Sequence, residues 1–275
     1  MRLAFIILMI ACFASPVNAQ SRYLKKPNKY LLKSDTTNAM LALNKMIAKH
    51  PTEADLYVKR AELKMARKNF DAAMVDLNSY CGYNQVCGQA ELLKGIIRYE
   101  QLDYRGAIEH LSAYSIRRDD EQVWNYLGMC HLKLKNYQIA RNAFEKAFES
   151  NGKNQGALYN AGLASYLNEE YEMAIDFFNR SIELLPGDLN SWMGLGLAQT
   201  ALHRFSDANK SFRQALAIDE NNGTALYNIG VNYYGMNEKD EACVYWEKAN
   251  QYRNLAAGQA LEQYCQEKAT KDQKK

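Results

Sequence analysis

Trp124-Asn125-Tyr126-Leu127-Gly128, followed by Ala140, Phe144 and Ala147, is the stretch that decides the fold. Its elements recur every 33 or 34 residues. In register they read Ala61, Ala73, Leu77; Gly95, Ala107, Leu111; Gly128, Ala140, Phe144; Gly162, Ala174, Phe178; Gly196, Ala208, Phe212; and Gly230, Ala242, Trp246. A small residue is followed twelve positions on by Ala, and four further on by a large apolar residue. Periods of about 20 to 50 residues belong to stacked arrays, and one near 34 belongs to helix-turn-helix units.

The packing logic follows from side-chain size. Small residues on the first helix (A) and Ala on the second (B) let two backbones approach, and the bulky residue fills the space beside them. One such hairpin cannot bury its apolar face alone, whereas stacked neighbours build a continuous core. An aromatic precedes the key Ala at Phe70, Tyr104, Tyr137, Tyr171 and Phe205, where helix B starts. Loops such as Leu185-Pro186-Gly187-Asp188 and Asn221-Asn222-Gly223 are polar, and their Asn and Gly are expected to satisfy helix ends and supply positive φ. The expected layout is a signal peptide over 1–19 and a basic lead-in over 20–34. A half repeat over 35–53 follows, then full repeats over 54–88, 89–120, 121–154, 155–188, 189–222 and 223–256. A capping helix over 257–267 and a disordered basic tail over 268–275 complete it. The second repeat strains the pattern, because Lys94 and Arg98 fall on core positions. Sliding its helix A by one residue puts Leu92, Ile96 and Tyr99 inside instead and shortens the turn, and it avoids burying two unpaired cations.

The pattern Trp124-x2-Leu127-Gly128-x11-Ala140-x3-Phe144-x2-Ala147 resembles the tetratricopeptide repeat signature, and the resemblance runs from about Asp35 to Cys265. It implies an all-α fold, a right-handed superhelical solenoid of helix-turn-helix repeats. It also implies that helix A lines a concave groove that binds a protein or peptide and does no chemistry. The groove positions are then Val58 and Met65; Asn125, Met129 and Leu132; Tyr159, Leu163 and Tyr166; Met193, Leu197 and Thr200; and Tyr227, Val231 and Tyr234. Tyr159 and Tyr227 are equivalent two repeats apart, as are Tyr166 and Tyr234. Tyr offers large contact area at low entropy cost, which suits a binding surface. The alternative is that tight winding buries part of this stripe. Family members that clamp a C-terminal carboxylate do so with Lys and Asn; Met, Leu, Val and Tyr here argue against that specificity. A carbohydrate or peptidoglycan binder stacking sugars on these tyrosines is the second reading, and self-association is compatible with the first.

Met1-Arg2 followed by the apolar run Leu3–Ala14 and by Val17-Asn18-Ala19 reads as a secretory signal cut after Ala19, hence an exported, periplasmic or secreted chain. The run is too short for a comfortable membrane span; a lipid attached at Cys12 is the alternative. No later segment is apolar for 18 residues, so no integral membrane segment is expected. Lys+Arg 34 against Asp+Glu 31 gives +3, and +2 without Arg2, so charge does not point to nucleic acid. Five Cys remain after the signal. Cys81 with Cys87, and Cys243 with Cys265, are the disulfide candidates, leaving Cys130 as a buried thiol. The four His are scattered and no metal-ligand spacing occurs, so no catalytic residue, metal or cofactor is expected. His131 reads as structural. Asn179, Asn209 and Asn222 head glycosylation sequons, the first two in mid-helix.

Overall fold

The computed structural model describes residues 22–84, 86–115 and 120–265, and among them the fold is all helix. A 3-10 turn, Arg22–Leu24, leads into α1 (Lys25–Leu31), α2 (Thr36–Lys49), α3 (Ala54–Ala66), α4 (Phe70–Tyr83), α5 (Gly88–Glu100), α6 (Tyr104–Ser115), α7 (Glu121–Lys133) and α8 (Tyr137–Ser150). Then follow α9 (Gln155–Leu167), α10 (Tyr171–Leu184), α11 (Leu189–Ala201), α12 (Phe205–Ile218), α13 (Gly223–Gly235), α14 (Lys239–Gln251) and α15 (Leu255–Tyr264). From α1 to α6 and from α8 to α15, each helix packs against the next. The chain divides into two compact units, one ending at Cys130 and one beginning at His131. The signal segment 1–19 and the tail 268–275 lie outside the described residues.

The turn between helices A and B is the same throughout. Its middle residue sits in the left-handed region at Ser34, Lys68, Leu102, Lys135, Glu169, His203 and Asn237, with φ between 56° and 64°. The following N–H donates back across the helix end, as Asp103 N to Arg98 O, Glu170 N to Ser165 O and Arg204 N to Gln199 O, each 2.9 Å. That bond closes a Schellman motif and satisfies a carbonyl the helix leaves free. No glycine has positive φ among the described residues. The loop residues Asn154, Asp188, Asn222 and Asn254 satisfy helix ends as expected, as N-caps accepting from Ala157, Ser191, Ala225 and Ala257 N–H, but none of them supplies the positive φ.

In the first unit, Leu24, Ala39, Leu43, Leu56 and Leu63 form one buried cluster, and Tyr57, Ala61, Leu77, Leu93 and Ile97 belong to another. The basic lead-in is not a tail over its whole length. Leu24 and Pro27 are buried, and α1 packs on α2 with Lys25, Lys26 and Lys29 turned to solvent. Ser34 carries the repeat turn, so the hairpin α1–α2 has the repeat's geometry with a short helix A.

The slid register of the second repeat is corrected. Gly95 keeps the position of Ala61 and faces Leu111: an added Cβ would lie 2.6 Å from Leu111 Cγ. The turn Gln101–Asp103 keeps its three residues. Leu92 and Ile96 are buried, at 4% and 9% exposure, but so are Leu93, Lys94 and Ile97, because α5 is enclosed on all sides. Lys94 tolerates this by pairing with Glu91 at 3.2 Å, and Glu91 holds His110 at 2.7 Å. Arg98 stays partly exposed and faces Asp103 at 3.7 Å. Arg60 stands at the position of Lys94 one repeat earlier and is likewise paired, with Asp76 at 2.7 Å.

In the second unit the inner helices α9, α11 and α13 touch side by side, each backed by its own helix B. Phe178, Phe212 and Trp246 fill the core next to glycines. Added Cβ atoms at Gly162, Gly196 and Gly230 would meet these rings at 2.8, 2.6 and 2.5 Å. Phe178 is pinched from its other side by Gly194, at 2.5 Å. A sealed polar corner joins α10 to α11. Ser181 and Ser191 are fully buried and 2.7 Å apart, and Gln155 Nε2 donates to Ser181 Oγ at 2.7 Å and to Asp188 Oδ2 at 3.0 Å. The expected capping helix starts two residues early, at Leu255, and ends at Tyr264.

Candidate functional site

Positions five, nine and twelve of each helix A fall within one turn-face of a 3.6-residue helix. In the second unit these are Tyr159, Leu163 and Tyr166 on α9, Met193, Leu197 and Thr200 on α11, and Tyr227, Val231 and Tyr234 on α13. All nine are half-buried: none is fully enclosed and none is free. Because α9, α11 and α13 are neighbours, the three rows form one inner face. No side chain in these rows carries a charge at neutral pH. Burial holds the Tyr159 and Tyr166 hydroxyls above the usual phenol range, with small contributions from Asp188 and Tyr171 respectively.

The tyrosines are propped from behind. Tyr159 leans on Phe178 with ring centroids 6.0 Å apart, and Tyr166 leans on Tyr171, the first residue of α10, at 5.6 Å. Tyr234 meets Trp246 at 5.8 Å and Tyr264 at 4.7 Å. Thr200 donates to Gly196 O at 2.9 Å and contacts Asn232 Oδ1 at 2.9 Å. Asn232 in turn donates to Asn209 Oδ1 at 2.8 Å. Asn209 is 3% exposed, so this sequon is closed to a glycan. The rigidity comes from packing: Tyr159, Tyr166 and Tyr234 have aromatic rings against them, and Tyr227 packs on the cluster around Trp246.

The same positions behave differently in the first unit. Val58, expected on the groove, is a core residue at 4% exposure, and Glu62 is buried beside it with Lys59 at 2.6 Å. Met65, Asn125 and Met129 are half-buried. Met129 Sδ accepts from Tyr99 Oη at 3.6 Å, and Tyr99 packs edge-on to Tyr126 at 5.3 Å. Burial pushes the Tyr126 hydroxyl up to about 12. Tyr99 and Tyr126 were not expected near the face; Tyr99 is hidden in the sequence by the apparent register slip, although it stands one repeat before Leu132. Leu132, which already belongs to the second unit, is half-buried on the last turn of α7.

Cys130 is a buried free thiol whose pKa burial raises to about 12, so it is inert as a nucleophile. His131 is half-buried, its pKa lowered by burial, with Nδ1 3.4 Å from Asn136 Nδ2. Cys81 and Cys87 have Cα atoms 5.2 Å apart, and Cys243 and Cys265 5.9 Å, both within the span of a disulfide. Among the described residues, no group of three or more His, Cys, Asp or Glu is placed to hold a metal ion. No helix among them is long and apolar enough to cross a membrane.

Comparison with known proteins agrees with this geometry. Two family models, both described as tetratricopeptide repeat, match residues 92–141 with 131–188, and residues 224–254. BBSome complex member BBS4 of Bos taurus is 23% identical over 234 residues, which is 85% of this chain and 45% of that protein. Protein SGT1 homolog of Bos taurus is 31% identical over 143 residues, 52% of this chain and 42% of that one. The chain thus spans less than half the length of these relatives. Among solved structures, a tetratricopeptide repeat protein from Parabacteroides merdae superposes with a TM-score of 0.60 at 17% identity, covering 87% of this chain and 96% of that one. MamA superposes with a TM-score of 0.57 at 21% identity, covering 64% and 94%. These structural likenesses show the shared fold. The 34-residue period, the repeated helix pairs and both matching family models place this chain among the tetratricopeptide repeat proteins.

Proposed function

We propose that this chain is an exported adaptor that holds an apolar segment of a partner protein against the inner face of its second unit. As a tetratricopeptide repeat protein it is a protein-interaction scaffold; the export, the segment and the face are the proposal. The observation that carries it is the uncharged, half-buried surface from Tyr159 to Tyr234, on neighbouring helices and backed by fixed rings. Half-burial leaves apolar area still to be removed from water, at about 25 cal/mol per Å². The fixed rings lose little entropy when a partner docks. Because none of these side chains is charged at neutral pH, no charge has to be stripped of water on binding. The N-terminal Arg2 and apolar run support export and, with it, a role in envelope or secreted-protein assembly. The two close Cys pairs suit an oxidising compartment.

The test is a photoreactive side chain at Tyr159 or Tyr227 in the native host, with adducts identified by mass spectrometry. One dominant protein adduct is the expected result, together with loss of binding to that partner in the Tyr159→Ala plus Tyr227→Ala variant. Undiminished partner binding by that double variant shows that the face is misassigned.

A further inference from the structure

The inner face of the second unit is covered at one end by the chain itself. Tyr264, the last residue of α15, lies over Tyr234 with centroids 4.7 Å apart and reaches Trp246 at 5.9 Å. The rest of α15 holds weakly. Its buried side chains are Ala257 and Ala260, Leu261 is partly buried against the Trp246 cluster, and Leu255 is 84% exposed. Two alanines and one partly buried leucine remove little apolar area from water. A helix of ten residues does not sustain itself in isolation. The aromatic contact is Tyr264, itself 41% exposed, and the residue next to it, Cys265, faces Cys243 on α14 with Cα atoms 5.9 Å apart. The one ring that covers the face therefore stands beside the one group that can tie it down covalently.

We infer that the surface formed by Tyr234 and Trp246 is a binding site for an aromatic side chain of a peptide segment, that Tyr264 is its tethered occupant, and that a Cys243–Cys265 disulfide latches it there. This deepens the adaptor reading by naming an aromatic segment as what the face takes. Opening needs a dithiol reductant. One of its thiolates attacks one sulfur of the pair, the S–S bond breaks, and the other cysteine leaves as a thiolate. The reductant's second thiol then closes on the mixed disulfide. In balance, two electrons and two protons pass to Cys243 and Cys265, and the reductant departs as a cyclic disulfide. α15 then swings off with Tyr264, and Tyr234 and Trp246 accept a ring from a partner.

The experiment uses the full chain, oxidised, beside its Cys243→Ser plus Cys265→Ser variant, which leaves the Cys81 pair untouched. Non-reducing peptide mapping comes first, then hydrogen exchange by mass spectrometry. The binding probe is a fluorescent peptide of residues 253–265 carrying Cys265→Ser. The expected results are a mapped Cys243–Cys265 disulfide and amide exchange in α15 about tenfold faster in the variant, with α9 to α13 unchanged. The probe should bind the variant about tenfold more tightly than the oxidised chain, and carrying Tyr264→Ala it should lose about tenfold in affinity. Free thiols at both positions, equal exchange in α15, or equal binding of the Tyr264→Ala probe would each overturn the proposal. So would faster exchange spread over the whole second unit, which would make the bond a staple of the fold. The probe is a segment of this chain, so these results stand apart from whether Tyr159 crosslinks to a partner.

Discussion

Phe178 sets the terms at the scale of single residues. It is 1% exposed and gripped between Gly162 on its own hairpin and Gly194 on the next. Two effects oppose each other when Gly162 becomes Ala. Helix propensity favours Ala by about 1 kcal/mol. The new methyl lies 2.8 Å from Phe178 Cε1, and overpacking a tight core costs about 1–3 kcal/mol. The ring cannot retreat, because Gly194 closes the other side. Gly162→Ala is therefore expected to lower stability by about 1 kcal/mol in urea unfolding. Gly156→Ala should not, since its nearest neighbour is Asn154 Oδ1 at 3.4 Å on an exposed helix start. The pairing of Gly162 with Phe178 is legible from the repeat spacing. The role of Gly194 is not, because its equivalents Asn160 and Asn228 are not small, and only the contact across hairpins reveals it.

At the scale of the element, the turn between helices A and B is where sequence reading fell short. Its left-handed residues are Ser, Lys, Leu, Lys, Glu, His and Asn, so composition carries no glycine signal. The conformation is imposed by closing a 2.9 Å backbone bond and docking the next helix. Leu102 is the harshest case, a bulky residue at φ 63° and 70% exposed. An L-residue there carries about 1–2 kcal/mol of strain, part of which glycine's greater unfolded freedom offsets. Leu102→Gly is expected to raise the urea midpoint by an amount equivalent to about 0.5–1 kcal/mol. An unchanged or lower midpoint would mean that the Leu102 side chain contributes packing beyond what its exposure shows. The register of α5 was misread for a related reason. Lys94 and Arg98 were priced as unpaired, whereas Lys94 finds Glu91 one turn earlier and Arg98 faces Asp103 in the following turn.

At the scale of the whole molecule, stability in a stacked array is close to a sum of repeat terms and nearest-neighbour interfaces. Phe212 is fully buried in a cluster built from α12 and α13, with α11 packed against it. Phe212→Ala should cost about 3–5 kcal/mol. Hydrogen exchange should rise in α11, α12 and α13 and stay unchanged from α2 to α5; a uniform rise along the chain would show all-or-none coupling instead. The helical array and its period were legible, because the spacing of small residue, Ala and large apolar residue repeats six times over. The closing of the inner rows in the first unit at Val58, and the covering of Tyr234 by Tyr264, were not; the burial of Leu92 and Ile96 was expected, though from a slid register that α5 does not adopt. The closing at Val58 and the covering by Tyr264 both depend on how deeply a position is enclosed, which spacing along a chain does not encode.

The recurring left-handed turn has a consequence for how such a chain can change length. Glu169 and His203 stand 34 residues apart in the same backbone conformation, and each is followed by the cap residue of a helix B, Glu170 and Arg204. Loss of the segment 170–203 joins Glu169 to Arg204 and reproduces a junction the chain already contains, with no frame of helix or turn broken. Gain of a copy does the same. Unequal recombination in the gene therefore has a natural quantum of 34 codons, and descendants of this protein can differ by whole hairpins while every remaining joint keeps its geometry.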